Sequence, residues 1–78
     1  MRVISQEGFC YQDIPYEYSA FYMNTSGTHI YANCNGVVYS LAEYSTADKA
    51  EEAIRKLHVC YQSGLKDTIF KLPSEDEI

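Results

Sequence analysis

From Thr28 to Glu43, apolar and polar residues alternate on both sides of Asn35-Gly36. That dipeptide is the strongest short-range hairpin signal, because a type I′ turn needs positive φ at both central positions. A turn there pairs Cys34 with Val37, Ala32 with Tyr39 and Ile30 with Leu41, and all six residues fall on one sheet face. The other face receives Asn33 with Val38, Tyr31 with Ser40, and His29 with Ala42. YSAFYM (18–23) has the aromatic content of a third strand. A loop over 24–27 carries the alternation into it, placing Phe21 beside Ile30 on the core face, and Tyr22 beside His29 and Ala20 beside Tyr31 on the opposite one.

The period then changes. Ala47, Ala50, Ala53, Ile54, Leu57, Cys60 and Tyr61 form one stripe at helical spacing, while Asp48, Glu51, Glu52, Arg55 and Lys56 lie away from it. The spacing predicts a helix over about 46–63. Ser45 and Asp48 stand in a near relative of the capping box. Glu51–Arg55 and Glu52–Lys56 are i,i+4 pairs in the better orientation. Gly64 is the left-handed residue after the helix, with Leu65 reaching back to Cys60. Upstream, RVISQ (2–6) reads as a first strand and Gly8 opens a loop. DIPYE reads as an edge segment or the entry to the next strand, since Pro15 has no N–H to give a ladder. TIFKL (68–72) is a last strand at a sheet edge, ended by Pro73. The acidic residues 74–78 read as a disordered tail.

These elements predict one α+β domain over 1–73. It is an antiparallel meander of roughly four to five strands with one helix packed on one face. At 78 residues such a chain buries only about 60% of its unfolded surface, enough for one small core. A hydrophobic fraction of 46% and a charged fraction of 22% belong to a globular chain rather than a disordered one.

Charge narrows the classes of partner. Eleven acids against six bases give a net charge of −5. Duplex nucleic acid and anionic membranes call for clustered Lys and Arg, so neither is expected as a partner, whereas a basic protein surface is compatible. The opening MRVISQEGF has no apolar stretch of signal-peptide type, and no run reaches the ~18 residues of a membrane span. The expected location is the cytoplasm of a bacterial host cell. Cys10, Cys34 and Cys60 are odd in number and share no CxxC spacing, which predicts reduced thiols rather than a disulfide framework.

Candidate chemistry is sparse. His58 and Cys60 are two apart on the predicted helix and diverge by about 200°, so they do not share a metal. Cys34 and His29 fall on opposite sheet faces, which removes a Cys–His nucleophile. No phosphate-loop, nucleophile-elbow or zinc-protease motif occurs. Neither a catalytic residue, a metal site nor a cofactor is expected, and the chain reads as a non-enzyme.

The aromatic content points elsewhere. Eight tyrosines and no tryptophan are present, and alternation sends Tyr18, Tyr22 and Tyr31, with His29, to the face that the helix does not cover. Tyrosine offers large stiff area with a polar tip, which suits a contact surface. The same residues also serve as ordinary cross-strand pairs that stabilise a thin sheet. Stacking of unpaired bases is disfavoured, because residues 18–43 contain no Lys or Arg. Tyr18, Tyr22, His29 and Tyr31 are therefore the candidate partner-binding residues.

MRVISQEG at the start, PYE at 15–17 and LAEYSTADKAEEAIRKL at 41–57 together resemble a group of small uncharacterised proteins of phages and prophages of Gram-positive bacteria. Those proteins share an M-R-[VI]-I-S-Q-x-G opening, a P-Y-E and an L-A-x-Y-S-T-x-x-K-A helix start. Cys10, Tyr11 and Gln12 look like an insertion relative to the shorter form. The resemblance implies a mobile-element setting and transfers no catalytic residue. By analogy, small acidic proteins of such elements block host machinery, anti-CRISPR proteins among them. The expected function is non-enzymatic binding of an unidentified host protein, such as a defence nuclease. The alternatives are a self-associating accessory protein that forms a homodimer through the same face, and a small-nucleotide-sequestering protein.

Overall fold

The computed structural model of the chain describes residues 1–9, 13–64 and 68–78. In chain order the elements are β1 (Arg2–Ile4), β2 (Ile14–Pro15), β3 (Ser19–Met23), β4 (His29–Cys34), β5 (Val37–Glu43), α1 (Ala47–Gln62) and β6 (Ile69–Lys71), with single 3₁₀ turns at Tyr16–Tyr18 and Glu75–Glu77. The class is α+β with one helix, as the sequence pattern predicts.

The antiparallel meander is β3-β4-β5, and the flanking strands form a small sheet of their own in the order β2-β1-β6. In that sheet β1 pairs antiparallel with β2 and parallel with β6. A parallel first and last strand needs a long crossover, and here the meander and α1 together supply it. Pro15 sits on the edge strand β2, where a missing N–H costs the ladder nothing.

Asn35 (φ 54°) and Gly36 (φ 81°) both take positive φ, the type I′ requirement. Cys34↔Val37, Asn33↔Val38, Ala32↔Tyr39 and Tyr31↔Ser40 pair as expected. The register then shifts: Ile30 pairs with Ala42 instead of Leu41, and His29 with Glu43 instead of Ala42. Leu41 is the extra residue of a β-bulge, and Leu41 and Ala42 are both fully buried. Between β3 and β4 the pairing is Met23↔Ile30, Tyr22↔Tyr31 and Phe21↔Ala32, two residues away from the expected partners. A slip of two preserves the faces, so Phe21 still points to the core and Tyr22 away from it. The cause is the loop: Asn24 Oδ1 accepts from the backbone N–H groups of Thr28 (3.0 Å) and His29 (3.2 Å), lengthening the turn beyond 24–27.

The core joins Val3, Ile14 and Leu72 of the small sheet region to Ile30, Ala32, Leu41 and Ala42 of the meander and to Ala50, Ala53 and Leu57 of α1. Gln6 fastens the two sheets. Its backbone N–H donates to the Leu41 carbonyl at 2.8 Å. Its side-chain Oε1 accepts from Glu43 N–H (3.1 Å), and its Nε2 donates to the Pro73 carbonyl (3.3 Å). Tyr44 Oη donates to that same carbonyl at 2.5 Å.

The helix begins one residue later than the Ser45 box proposes. Thr46 is the N-cap and its Oγ1 accepts from Lys49 N–H. Ser45 instead donates both its N–H (2.7 Å) and its hydroxyl (2.9 Å) to Glu75, and Lys49 Nζ pairs with the same carboxylate. On the exposed face Arg55 bonds Glu52, three residues back, rather than Glu51. Gly64 is left-handed (φ 84°), and its N–H donates to the Tyr61 carbonyl. The proposed Leu65 contact lies outside the described residues, as do Cys10, Tyr11 and Gln12. Residues 74–78, where the sequence reading placed a disordered tail, run as a 3₁₀ turn with a Ser74–Glu77 capping box, and Ile78 packs on the core.

Candidate functional site

The helix covers the face of the meander that carries Phe21, Ile30, Ala32 and Tyr39. On the other face Tyr22 of β3 stacks on Tyr31 of β4, with ring centroids 5.5 Å apart and planes 25° from parallel. Tyr31 in turn stacks on His29, at 5.6 Å and 14°. The Tyr22–Tyr31 pair follows directly from the cross-strand register, and the His29–Tyr31 pair from the two-residue repeat of a strand. Three of the four expected site residues therefore form one continuous stack. Tyr18 is placed elsewhere. It ends the 3₁₀ turn before β3 and is 78% exposed.

Two residues join this face that alternation alone does not find. Phe9 meets the edge of the His29 ring at 6.4 Å, brought there by the turn in which Phe9 N–H donates to the Gln6 carbonyl. Glu43 lies opposite His29, its Oε2 3.8 Å from the imidazole Nδ1. The bulge at Leu41 puts it there: unbroken alternation from Val37 would have sent Glu43 to the core face. A carboxylate directed into an apolar core was the available signal that the strand is bulged. Val38 on the same outward face is half exposed.

Tyr16 and Phe21 belong to a second cluster, on the helix side of the sheet. Tyr16 stacks on Tyr61 of α1 (4.2 Å) and on Phe21 (5.5 Å), and its hydroxyl shares a 2.7 Å hydrogen bond with His58 Nδ1. Burial first, then the proximity of Tyr61 and Glu17, pushes the Tyr16 phenol above its ordinary range. This second cluster locks the C-terminal half of α1 to the start of β3, so its tyrosines and His58 are structural. Cys34 and Cys60 are both free and half buried. Among the described residues no group of His, Cys, Asp and Glu has the arrangement to hold a metal ion, and no helix is long and apolar enough to cross a membrane.

Comparison with known proteins gives no match: no family model, no curated protein and no solved structure is similar to this chain. The face has to be read on its own geometry. It is built on paired strands and presents a row of aromatic rings with one carboxylate beside them. Such a surface can bury apolar area, stack on planar or cationic groups and accept hydrogen bonds.

Proposed function

We propose that this protein is a non-enzymatic binding module that docks on a host protein through the outer face of the β3-β4-β5 sheet. The observation that carries this reading is the Tyr22–Tyr31–His29 stack, laid open on the face opposite the helix. A Tyr22 ring that is 42% exposed contributes less to the fold than a buried one, whereas stiff half-exposed tyrosines are the residues that interfaces concentrate. The resemblance of MRVISQEG and LAEYSTADKAEEAIRKL to mobile-element proteins of Gram-positive bacteria supports a partner in the cytoplasm of such a host, with blockage of a defence nuclease as the working case. Glu43 would lie at the rim of the contact.

The test is capture from a Gram-positive lysate with the wild-type chain and with a Tyr22→Ser, Tyr31→Ser double variant of the stacked rings. The expected result is one host protein retained by the wild type and lost by a variant that keeps its circular dichroism spectrum. A variant that unfolds places these rings in the stability of the sheet and overturns the reading. Equal retention by both proteins overturns it as well.

A further inference from the structure

A strand at the edge of a sheet presents unpaired backbone N–H and C=O groups, and folded proteins block such edges with proline, charge, shortness or a bulge. Among the described residues the two sheets have four edges, β2, β6, β3 and β5. β2 is two residues long and carries Pro15. β6 is three residues long and ends in Lys71. β5 is bulged at Leu41, where Gln6 takes the Leu41 carbonyl and the Glu43 N–H, so only Val38 and Ser40 remain outward ahead of the bulge. β3 has none of these devices. Ser19–Met23 runs as SAFYM, without charge, proline, glycine or register shift.

The register fixes which backbone groups of β3 face outward. Cys34 and Val37 flank the two-residue turn and bond each other, so successive residues of β4 turn alternately to β5 and to β3. Two further bonds hold the same phase. Tyr44 N–H donates to the Thr28 carbonyl on the β5 side, and Asn24 N–H to the His29 carbonyl on the β3 side. Ala20 and Tyr22 therefore turn their groups to β4, whereas Ser19, Phe21 and Met23 turn theirs away. Ser19 N–H is already engaged by the Tyr16 carbonyl. Phe21 and Met23 have no backbone partner on that side among the described residues.

We propose that β3 pairs antiparallel with β3 of a second copy of this chain, about a two-fold axis beside Tyr22, joining the two meanders into one six-stranded sheet. A two-fold axis demands an edge that complements itself, and the outward groups of β3 do so. Phe21 N–H meets the Met23 carbonyl of the second copy, Met23 N–H meets its Phe21 carbonyl, and the same bonds are returned. An axis beside Phe21 would instead set Met23 opposite Ser19, whose N–H the Tyr16 carbonyl holds. The side chains agree with the Tyr22 register. Phe21 and Met23, both packed against the core, lie side by side across the axis. On the outer face the Tyr22 side chains, 42% exposed in the single chain, meet each other and extend the Tyr22–Tyr31 row into the second copy. No charged side chain of the strand opposes its like. The dimer uses the strand edge and does not rest on the docking role of the outer face.

Sedimentation velocity under reducing conditions, from micromolar to millimolar protein, tests the pairing. The expected result is a reversible dimer whose fraction rises with concentration. Tyr22→Lys sets like charges opposite each other at the axis and weakens association about tenfold or more, while the circular dichroism spectrum is kept. A chain assembled by chemical synthesis with Met23 N-methylated loses one outward donor without any side-chain change, and it associates more weakly as well. The register is read by cross-linking. The Tyr22 pair is not hydrogen-bonded to itself, so its Cα atoms lie about 4.5 Å apart, within reach of a disulfide. Under oxidised glutathione, Tyr22→Cys should link two copies through the introduced thiols, and Ala20→Cys, which the axis sets far from its counterpart, should not; peptide mapping identifies the link. A chain that stays monomeric at millimolar concentration overturns the proposal. A dimer that both Tyr22→Lys and the N-methylated Met23 leave unchanged overturns it too, as does equal cross-linking at the two positions. Should Tyr22→Lys fail to fold, the N-methylated chain and the cross-link decide.

Discussion

Single residues in this chain acquire their roles from what surrounds them, and Tyr44 shows how sharply. It follows Glu43 at the end of β5, is 3% exposed, and donates its hydroxyl to the Pro73 carbonyl. Burial, reinforced by Glu75 and Glu77, pushes its phenol up to about 12. A raised phenol favours the protonated, folded form. The unfolded chain therefore releases this proton first, and the associated stability, fully present below pH 10, is lost as pH rises from 10 towards 12. We expect spectrophotometric titration to show Tyr44 ionising together with loss of far-ultraviolet circular dichroism. A Tyr44→Phe variant should lose that alkaline transition and be less stable at neutral pH by about 1 kcal/mol for the missing hydrogen bond. An alkaline transition unchanged in Tyr44→Phe would refute this assignment. The sequence marks Tyr44 as an aromatic residue between a strand and a helix. It does not disclose that the hydroxyl meets the carbonyl of a proline 29 residues later, because that contact depends on how the last strand docks.

At the scale of elements, local chemistry and tertiary context share the decisions. The Asn35-Gly36 turn is legible because φ preferences are a property of the residue itself. Gly36→Ala should cost about 1–2 kcal/mol, since a Cβ is disfavoured at a φ of 81°. Equilibrium urea unfolding measures this, and a cost near zero would mean that the turn relaxes to another type. The helix is legible because its stripe repeats at 3.6 residues. Its N-cap is displaced by one residue because Glu75 claims the N–H and hydroxyl of Ser45 from the far end of the chain. The bulge at Leu41 is only half legible. The run Leu41-Ala42-Glu43 conflicts with strict alternation, yet pairing arithmetic along one hairpin prefers the unbroken ladder. What favours the break is burial of both Leu41 and Ala42 together with capture of the bulged backbone by Gln6.

For the whole molecule the small sheet β2-β1-β6 is the decisive addition. It closes one end of the core with Val3, Ile14 and Leu72, and Gln6 fixes it to the meander through the amide bonds to Glu43 and Pro73. Gln6→Ala removes both side-chain bonds and takes the acceptor from the Glu43 N–H, while Tyr44 still serves the Pro73 carbonyl, so it should destabilise the protein by about 1–3 kcal/mol. That is a large share of the ~4–12 kcal/mol expected for a domain of this length. Thermal and urea denaturation test this, and a loss under about 0.5 kcal/mol would show that water replaces the amide. The MRVISQEG segment is thus largely a structural clasp. The candidate contact surface lies mainly on β3 and β4.

By itself the amino-acid order determined the strand–turn–strand of 28–43, the amphipathic helix, the left-handed Gly64 and the exclusion of Tyr22 and Tyr31 from the helix-covered face. Each of these follows from interactions within a few residues of the chain: side-chain period, φ preference and burial parity. Tertiary structure alone decided the parallel pairing of the first and last strands, the bulge that turns Glu43 outward, the placement of Phe9 against His29, and the capture of Tyr16 by Tyr61 and His58. Those contacts join residues distant in sequence, and their free energy exists only once the core has closed.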